Sequence, residues 1–318
     1  MKIKTKLFTL AIMLVTQQAG AVTAFDQYTL ELLNQFRADP QAAANTYLSG
    51  NLNEGLATGT ISSAAKQPLA WNQNIVTAAQ GHTTDMINNN FFDHPGDDGR
   101  SPGQRLTDAG YSWQTFGENL SARGQTGLSN VTAAITEQMN IDLFVDSGVA
   151  GRGHRTSMMN NSFESVGISV GFSPSFTPLN GFPSNLVTVD FGANSDGAFL
   201  TGVAYDDGDK NNFYTPGEGL AGLDVVAFLA GTNNVAAQTT TLDAGGYALD
   251  LGDGTYDLEI TGGLGRLFLE DIVLGNENVK FNYNNTTVAT VVPVPAAVWL
   301  FATGLLGFAS ISKRRVSL

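Results

Sequence analysis

Ile75-Val76-Thr77-Ala78-Ala79-Gln80-Gly81-His82-Thr83-Thr84-Asp85-Met86, followed by Phe91-Phe92-Asp93-His94-Pro95, carries the most structural information in this chain. Ile75, Ala78, Ala79, His82 and Met86 recur at helical spacing, which predicts a helix with one apolar face. His82 lies on that face and reads as a hydrogen-bonded packing residue. His94 stands outside the helical pattern beside a proline, where a loop can display it.

Working outward, Leu30, Leu33 and Phe36 give a second helical face that stops at Pro40, and Val131 to Phe144 gives a third. Residues 41–66, rich in Asn, Gly, Ala and Thr, read as an irregular insertion. Val166 to Phe172 and Leu186 to Phe191 read as strands, so residues 25–196 are expected to form an α+β layered domain. From Ala198 the texture changes to short runs at Leu223–Leu229, Tyr247–Leu251, Thr255–Ile260 and Arg266–Leu274, separated by Gly and Asp. This spacing predicts a small β-sandwich over 197–285, with 286–292 as a linker.

The chain has 318 residues, 42% hydrophobic and only 14% charged, with 36 Gly and no Cys. Coiled-coil, collagen-like and wholly disordered chains are excluded by this composition. Lys2, Lys4 and Lys6 before the apolar Leu7–Val15, then Ala19, Ala21 and Ala24, form the pattern of a secretory signal peptide over 1–24, with cleavage expected after Ala21 or Ala24. Val294 to Ile311 is nearly all apolar and is followed by Lys313, Arg314 and Arg315, as expected of a membrane-spanning helix over 293–318 with its basic end inside. Removing both ends takes away six basic and no acidic residues, leaving 10 against 29, a net charge of −19. Such a body does not bind nucleic acid, and it favours cations as small partners. Without cysteine, the domains stand on packing or metal rather than disulfides.

His94 and His154, the latter in Gly151-Arg152-Gly153-His154-Arg155, both sit beside turn signals. Between them lie Glu118, in Gly117-Glu118-Asn119-Leu120, and Glu137 on the third helix. Two imidazoles and two carboxylates from four segments converge only if the fold gathers them, as metal sites and acid/base sites do. In the second domain, Asp207-Gly208-Asp209-Lys210-Asn211-Asn212-Phe213-Tyr214-Thr215-Pro216-Gly217-Glu218 fits a twelve-residue calcium loop. Asp207, Asp209, Asn211 and Thr215 supply side-chain oxygens, Phe213 a backbone carbonyl and Glu218 the last carboxylate, with Asn212 in place of the turn glycine. Hard oxygen donors in this order select Ca²⁺.

The run from Ala78 to Met86, together with Phe91-Phe92-Asp93-His94, Asp98-Gly99-Arg100-Ser101-Pro102, Ala109-Gly110-Tyr111, Gly117-Glu118-Asn119-Leu120, Gly153-His154-Arg155 and Val166-Gly167-Ile168, resembles bacterial members of the CAP superfamily, also called the SCP domain. That resemblance spans about 28–194. It implies an α-β-α sandwich with a cleft holding a tetrad, here His94, Glu118, Glu137 and His154, with Asp142 or Asp146 replacing Glu137 if that residue is displaced. In such a cleft His94 and His154 can offer nitrogens to a Zn²⁺-like cation, with the carboxylates orienting them. The superfamily's range leaves open a lipid, glycan or protein ligand, a metal-dependent hydrolase, or a structural matrix component. Binding is favoured over catalysis because no H-E-x-x-H or G-x-S-x-G motif is present.

Thr201 to Tyr205, Gly217 to Val225, Gly245-Gly246-Tyr247 and Gly254-Thr255-Tyr256 resemble the B-type domains of serine-aspartate repeat adhesins, implying an Ig-like, calcium-stiffened spacer without EF-hand helices. Val292-Pro293-Val294-Pro295-Ala296, the apolar helix and the basic tail resemble PEP-CTERM sorting signals in their Val-Pro-Leu-Pro-Ala variant. This implies an exosortase-type transpeptidase of the inner membrane as a processing partner and a surface or matrix destination.

Overall fold

The computed structural model describes residues 21–194, 197–262, 265–284 and 290–291. Most of the expected signal peptide and all of the expected sorting helix lie outside the described residues. Among the described residues no helix is long and apolar enough to cross a membrane.

Helix α1 (Ala24–Ala38) begins with a capping box, Thr23 accepting from the Asp26 amide while Asp26 accepts from that of Thr23. Val22 is buried in the main core, and the Ala21 carbonyl accepts from Gln80. The fold therefore uses Ala21–Ala24, and cleavage after Ala24 would strip α1 of its cap. Residues 41–66 are not wholly irregular. Pro40 stops α1 but opens α2 (Pro40–Tyr47), because proline suits the first helical turn and the Asp39 side chain caps it.

Strand β1 (Ala70–Trp71) leads into α3 (Gln73–Asn89), then α4 (Pro102–Asp108), β2 (Thr115–Gly124), α5 (Ala133–Val145), α6 (Gly153–Met158), β3 (Ser165–Phe176) and β4 (Phe182–Ala193). The sheet order is β1-β3-β4-β2, with β1 and β3 parallel and the other pairs antiparallel. Leu30, Leu33 and Phe36 of α1 and Met139, Leu143 and Phe144 of α5 share one core with Val166, Ile168, Val187 and Val189. On the other face α3 presses so close to β3 that a Cβ at Gly167 would lie 2.2 Å from the Ile75 carbonyl carbon. Helices thus cover both faces, as an α-β-α sandwich requires, and β2 is an edge strand.

The second half comprises β5 (Ala198–Tyr205), β6 (Asp224–Leu229), β7 (Val235–Thr240), β8 (Gly246–Leu251), β9 (Gly254–Gly262), β10 (Gly265–Leu274), β11 (Val279–Asn284) and β12 (Thr290–Val291). Two four-stranded sheets, β10-β9-β6-β7 and β12-β11-β5-β8, enclose a core that includes Leu200, Val225, Leu258 and Phe281. The expected linker 286–292 thus contains a strand, since β12 pairs with β11.

This half is docked against the first and is not a free spacer. Buried Lys280 of β11 donates to Glu31 of α1 at 2.8 Å, Gln27 donates to Glu31, and the Trp71 indole donates to Gln27 at 2.7 Å. Asn278 donates to the Pro68 and Glu164 carbonyls.

Candidate functional site

Glu118 lies in the middle of β2. Its strand neighbours on the same face, Phe116 and Leu120, pack into the apolar clusters that include Ile75 and Met86 of α3. Alternation along the strand therefore drives Glu118 toward α3, leaving its side chain 2% exposed. Three cationic or cation-forming groups surround it. His94 Nδ1 donates to Oε1 at 2.7 Å, the Arg105 guanidinium of α4 donates to Oε2, and His82 Nε2 lies 4.0 Å from Oε2. Arg105 also donates to the His94 and Arg100 carbonyls, so one side chain fixes both the loop carrying His94 and the carboxylate it faces.

The residue paired with Glu118 across the strands is Asp190, fully buried. Its oxygens have no N–H donor, and Glu118 is its hydrogen-bonding neighbour. Burial pushes the Asp190 carboxyl well above its ordinary range, and the Glu118 charge pushes it further. The shift favours the neutral form of Asp190, the form able to donate to Glu118. Burial raises Glu118 as well, but the His94 hydrogen bond and the Arg105 charge outweigh it and hold Glu118 below the usual carboxylate range. The same bond raises His94, while burial lowers His82, keeping it neutral. His82 is fully buried with Nε2 on the Asp93 carbonyl, in keeping with a packing role.

His154 sits at the start of α6 on the other side of β2. Asn119, the next residue after Glu118, points that way and donates to the His154 carbonyl at 3.0 Å. The partner of the His154 ring is Asp146, the left-handed cap of α5, with Nδ1 to Oδ1 at 2.8 Å and the His154 amide to Oδ2 at 2.9 Å. Buried Arg155 ties this loop down through the Phe144, Val145, Leu52 and Glu54 carbonyls. Glu137 does not join either imidazole. It faces Tyr28 and Tyr47, and with burial it raises both phenols. The expected tetrad is thus built as two pairs, His94–Glu118 and His154–Asp146, on opposite faces of one edge strand.

For zinc, the donor set does not close. Among the described residues of this domain, no three His, Asp or Glu side chains offer ligand atoms within 4.8 Å of one another. Asp207, Asp209 and Glu218 of the second domain do. Glu218 accepts from the Gly208 and Thr215 amides, Asp207 from the amides of Asn211 and Asn212, and Asp209 from Thr215 Oγ1, which draws the loop oxygens inward. Asn212 adopts φ 58, the left-handed conformation the loop needs at its sixth position. Strands flank the loop instead of EF-hand helices. Phe213 and Tyr214, within the loop, pack with Tyr28 and Leu32 of α1.

Comparison with known proteins places the CAP family, described as the cysteine-rich secretory protein family, on residues 30–190. Among solved structures, an extracellular protein containing a SCP domain from Bacillus anthracis is 26% identical, with a TM-score of 0.29 over 41% of this chain and 35% of that one. The matched part is therefore about a third of the length of that protein. An outer surface protein from Borrelia burgdorferi is 14% identical, with a TM-score of 0.31 over 52% of this chain and 93% of that one. No curated protein matches.

Proposed function

The chain belongs to the cysteine-rich secretory protein (CAP) family through residues 30–190, and from that premise we propose that it is an exported binding protein that takes its ligand beside edge strand β2. The observation that carries this reading is the state of the site's groups. Both Glu118 oxygens are engaged by His94 and Arg105, and each imidazole spends Nδ1 on a carboxylate. Among the described residues no Ser or Thr hydroxyl bonds either ring, and the chain has no Cys. A nucleophile with its base is therefore not assembled. What the arrangement offers is recognition: His94, 49% exposed on its side chain, is charge-assisted through Nδ1 and keeps Nε2 for a ligand acceptor.

The leader pattern and the −19 body support export. Processing by an exosortase-type transpeptidase belongs to this proposal through the tail motif alone. The 207–218 loop is assigned Ca²⁺, held by Asp207, Asp209, Asn211, Thr215, Glu218 and the Phe213 carbonyl. Bound there, the ion neutralises clustered carboxylates and fixes the loop that packs on α1. Zinc has no part in the proposal, because among the described residues neither the His94 nor the His154 side gathers three ligand atoms within 4.8 Å.

The test is activity against binding in one protein. Turnover of a peptide and ester library by the full chain, abolished by His94→Ala with His154→Ala, would overturn the reading in favour of a hydrolase. Absence of turnover, with saturable capture from a panel of phosphatidylcholine vesicles, oligosaccharides and peptides that is lost on Glu118→Gln, is expected.

A further inference from the structure

On the face of α4 away from Arg105, Trp113 and Phe116 form an aromatic shelf. Their ring centroids are 4.6 Å apart at 69°, and Trp113 is 39% exposed. The indole N–H donates to the Gly103 carbonyl at 3.1 Å and to Thr107 Oγ1 at 3.2 Å, which locks the ring. Gly103 permits this contact: a Cβ there would lie 2.9 Å from the Phe116 ring and 3.2 Å from Trp113.

The shelf floors a cavity of about 270 Å³ rimmed by Ser101, Gln104, Thr107 and Asp108. Asp108 also walls a second cavity, of about 440 Å³, together with Asp85, Asn88, Asp98 and Arg100. Behind that wall, His82 Nδ1 and Arg105 Nε are buried without partners.

An apolar platform next to a cavity of carboxylates and amides matches a molecule with one C–H face and a girdle of hydroxyls. Pyranose sugars have this two-sided chemistry. Asp85, Asp98 and Asp108 outnumber Arg100 and Arg105, the latter already paired with Glu118, so an acidic sugar is disfavoured by like charge. A lipid tail finds no long apolar channel in these polar walls.

We propose that the Trp113–Phe116 shelf and the adjoining Asp85–Asp98–Asp108 cavity form a subsite for neutral oligosaccharides, one ring stacking on the indole and the next placing hydroxyls in the cavity. The proposal deepens the binding reading above and rests on it by naming the ligand class.

The experiment titrates the full chain with maltotriose, cellotriose, chitotriose and mannotriose, and with a trigalacturonate control, following the Trp113 indole N–H by NMR and heat by calorimetry. At least one neutral trisaccharide is expected to shift that resonance saturably. Trp113→Ala should weaken binding about tenfold and Trp113→Phe by less, as loss and retention of ring stacking require. The proposal is overturned if no neutral trisaccharide binds, if binding leaves the indole N–H unmoved, or if trigalacturonate binds as tightly. Binding that Glu118→Gln abolishes and Trp113→Ala leaves intact would remove this subsite while leaving the binding function of the β2 site standing. The indole shift reports on the wild-type protein, so the result does not depend on how the Ala variant folds.

Discussion

Replacing Glu118 and Asp190 singly and together measures how one negative charge is shared between two buried carboxyls. In Asp190→Asn the amide still donates to Glu118 and nothing charged is lost, so the expected cost is about 0.5 kcal/mol, that of a near-isosteric change. In Glu118→Gln the charged bonds to His94 and Arg105 weaken, but two of the causes that keep Asp190 protonated, the Glu118 charge and its hydrogen bond, disappear with it. Asp190 can then ionise opposite Arg105, and the net cost is about 2 kcal/mol, the scale of one charged hydrogen bond. The double variant leaves the Arg105 guanidinium, 8% exposed, without its buried counter-charge and with only exposed Asp98 acting on it, and breaking such a pair costs about 3–5 kcal/mol. The double loss should therefore exceed the sum of the single losses by about 0.5–2.5 kcal/mol. Urea denaturation of the four proteins at pH 7 reads this directly. Additivity within about 0.5 kcal/mol, or Asp190→Asn costing as much as Glu118→Gln, would refute the shared charge.

The pH profile should follow the same site. His94 has its folded pKa raised by Glu118, so its contribution is complete below the unfolded value of 6.5 and fades as pH rises through the raised folded value; Glu118, held low, contributes above 4.5 and is lost on acidification. Thermal melts from pH 4 to 9 should lose their alkaline slope in His94→Gln, and an unchanged slope would exclude His94 as its source. At the junction between the two halves, Lys280→Met should cost about 3–5 kcal/mol by stranding Glu31, whereas adding Glu31→Leu should restore most of it, with a single unfolding transition throughout. Two separate transitions in calorimetry would show instead that the halves unfold independently. N-terminal sequencing of exported protein should begin at Val22, and Thr23→Ala should cost about 1 kcal/mol by removing the α1 cap; a start at Phe25 with undiminished stability would contradict the role given to the capping box.

The parts legible in sequence were those written in local periodicity. The faces of α1, α3 and α5 and strands β3, β4, β6, β8, β9 and β10 follow from spacings of apolar residues, and the left-handed Asn212 follows from the calcium-loop pattern. Strand β2 was hidden because Gly117 and Glu118 break an apolar alternation, and a carboxylate in mid-strand is tolerated only because Arg105, His94 and Asp190 meet it there. No spacing rule announces Asp190, since it lies 72 positions from Glu118 in number and is brought opposite by antiparallel register alone. The choice of Asp146 over Glu137 was likewise a question of direction. Glu137, within the helix, leans toward Tyr28 of α1, while Asp146 takes the left-handed position that ends the helix and so turns its carboxylate back onto the His154 amide and ring. Asp146 can bond the His154 amide because that amide lies in the first turn of α6, where backbone N–H groups have no intrahelical partner. The same logic explains Arg105, whose short helix is pinned by the Ser101–Gln104 capping box so that one guanidinium spans the His94 carbonyl and the Glu118 carboxylate. Rigidity at the β2 edge thus rests on caps and buried charge, and this is how a cysteine-free domain can present two oriented imidazoles.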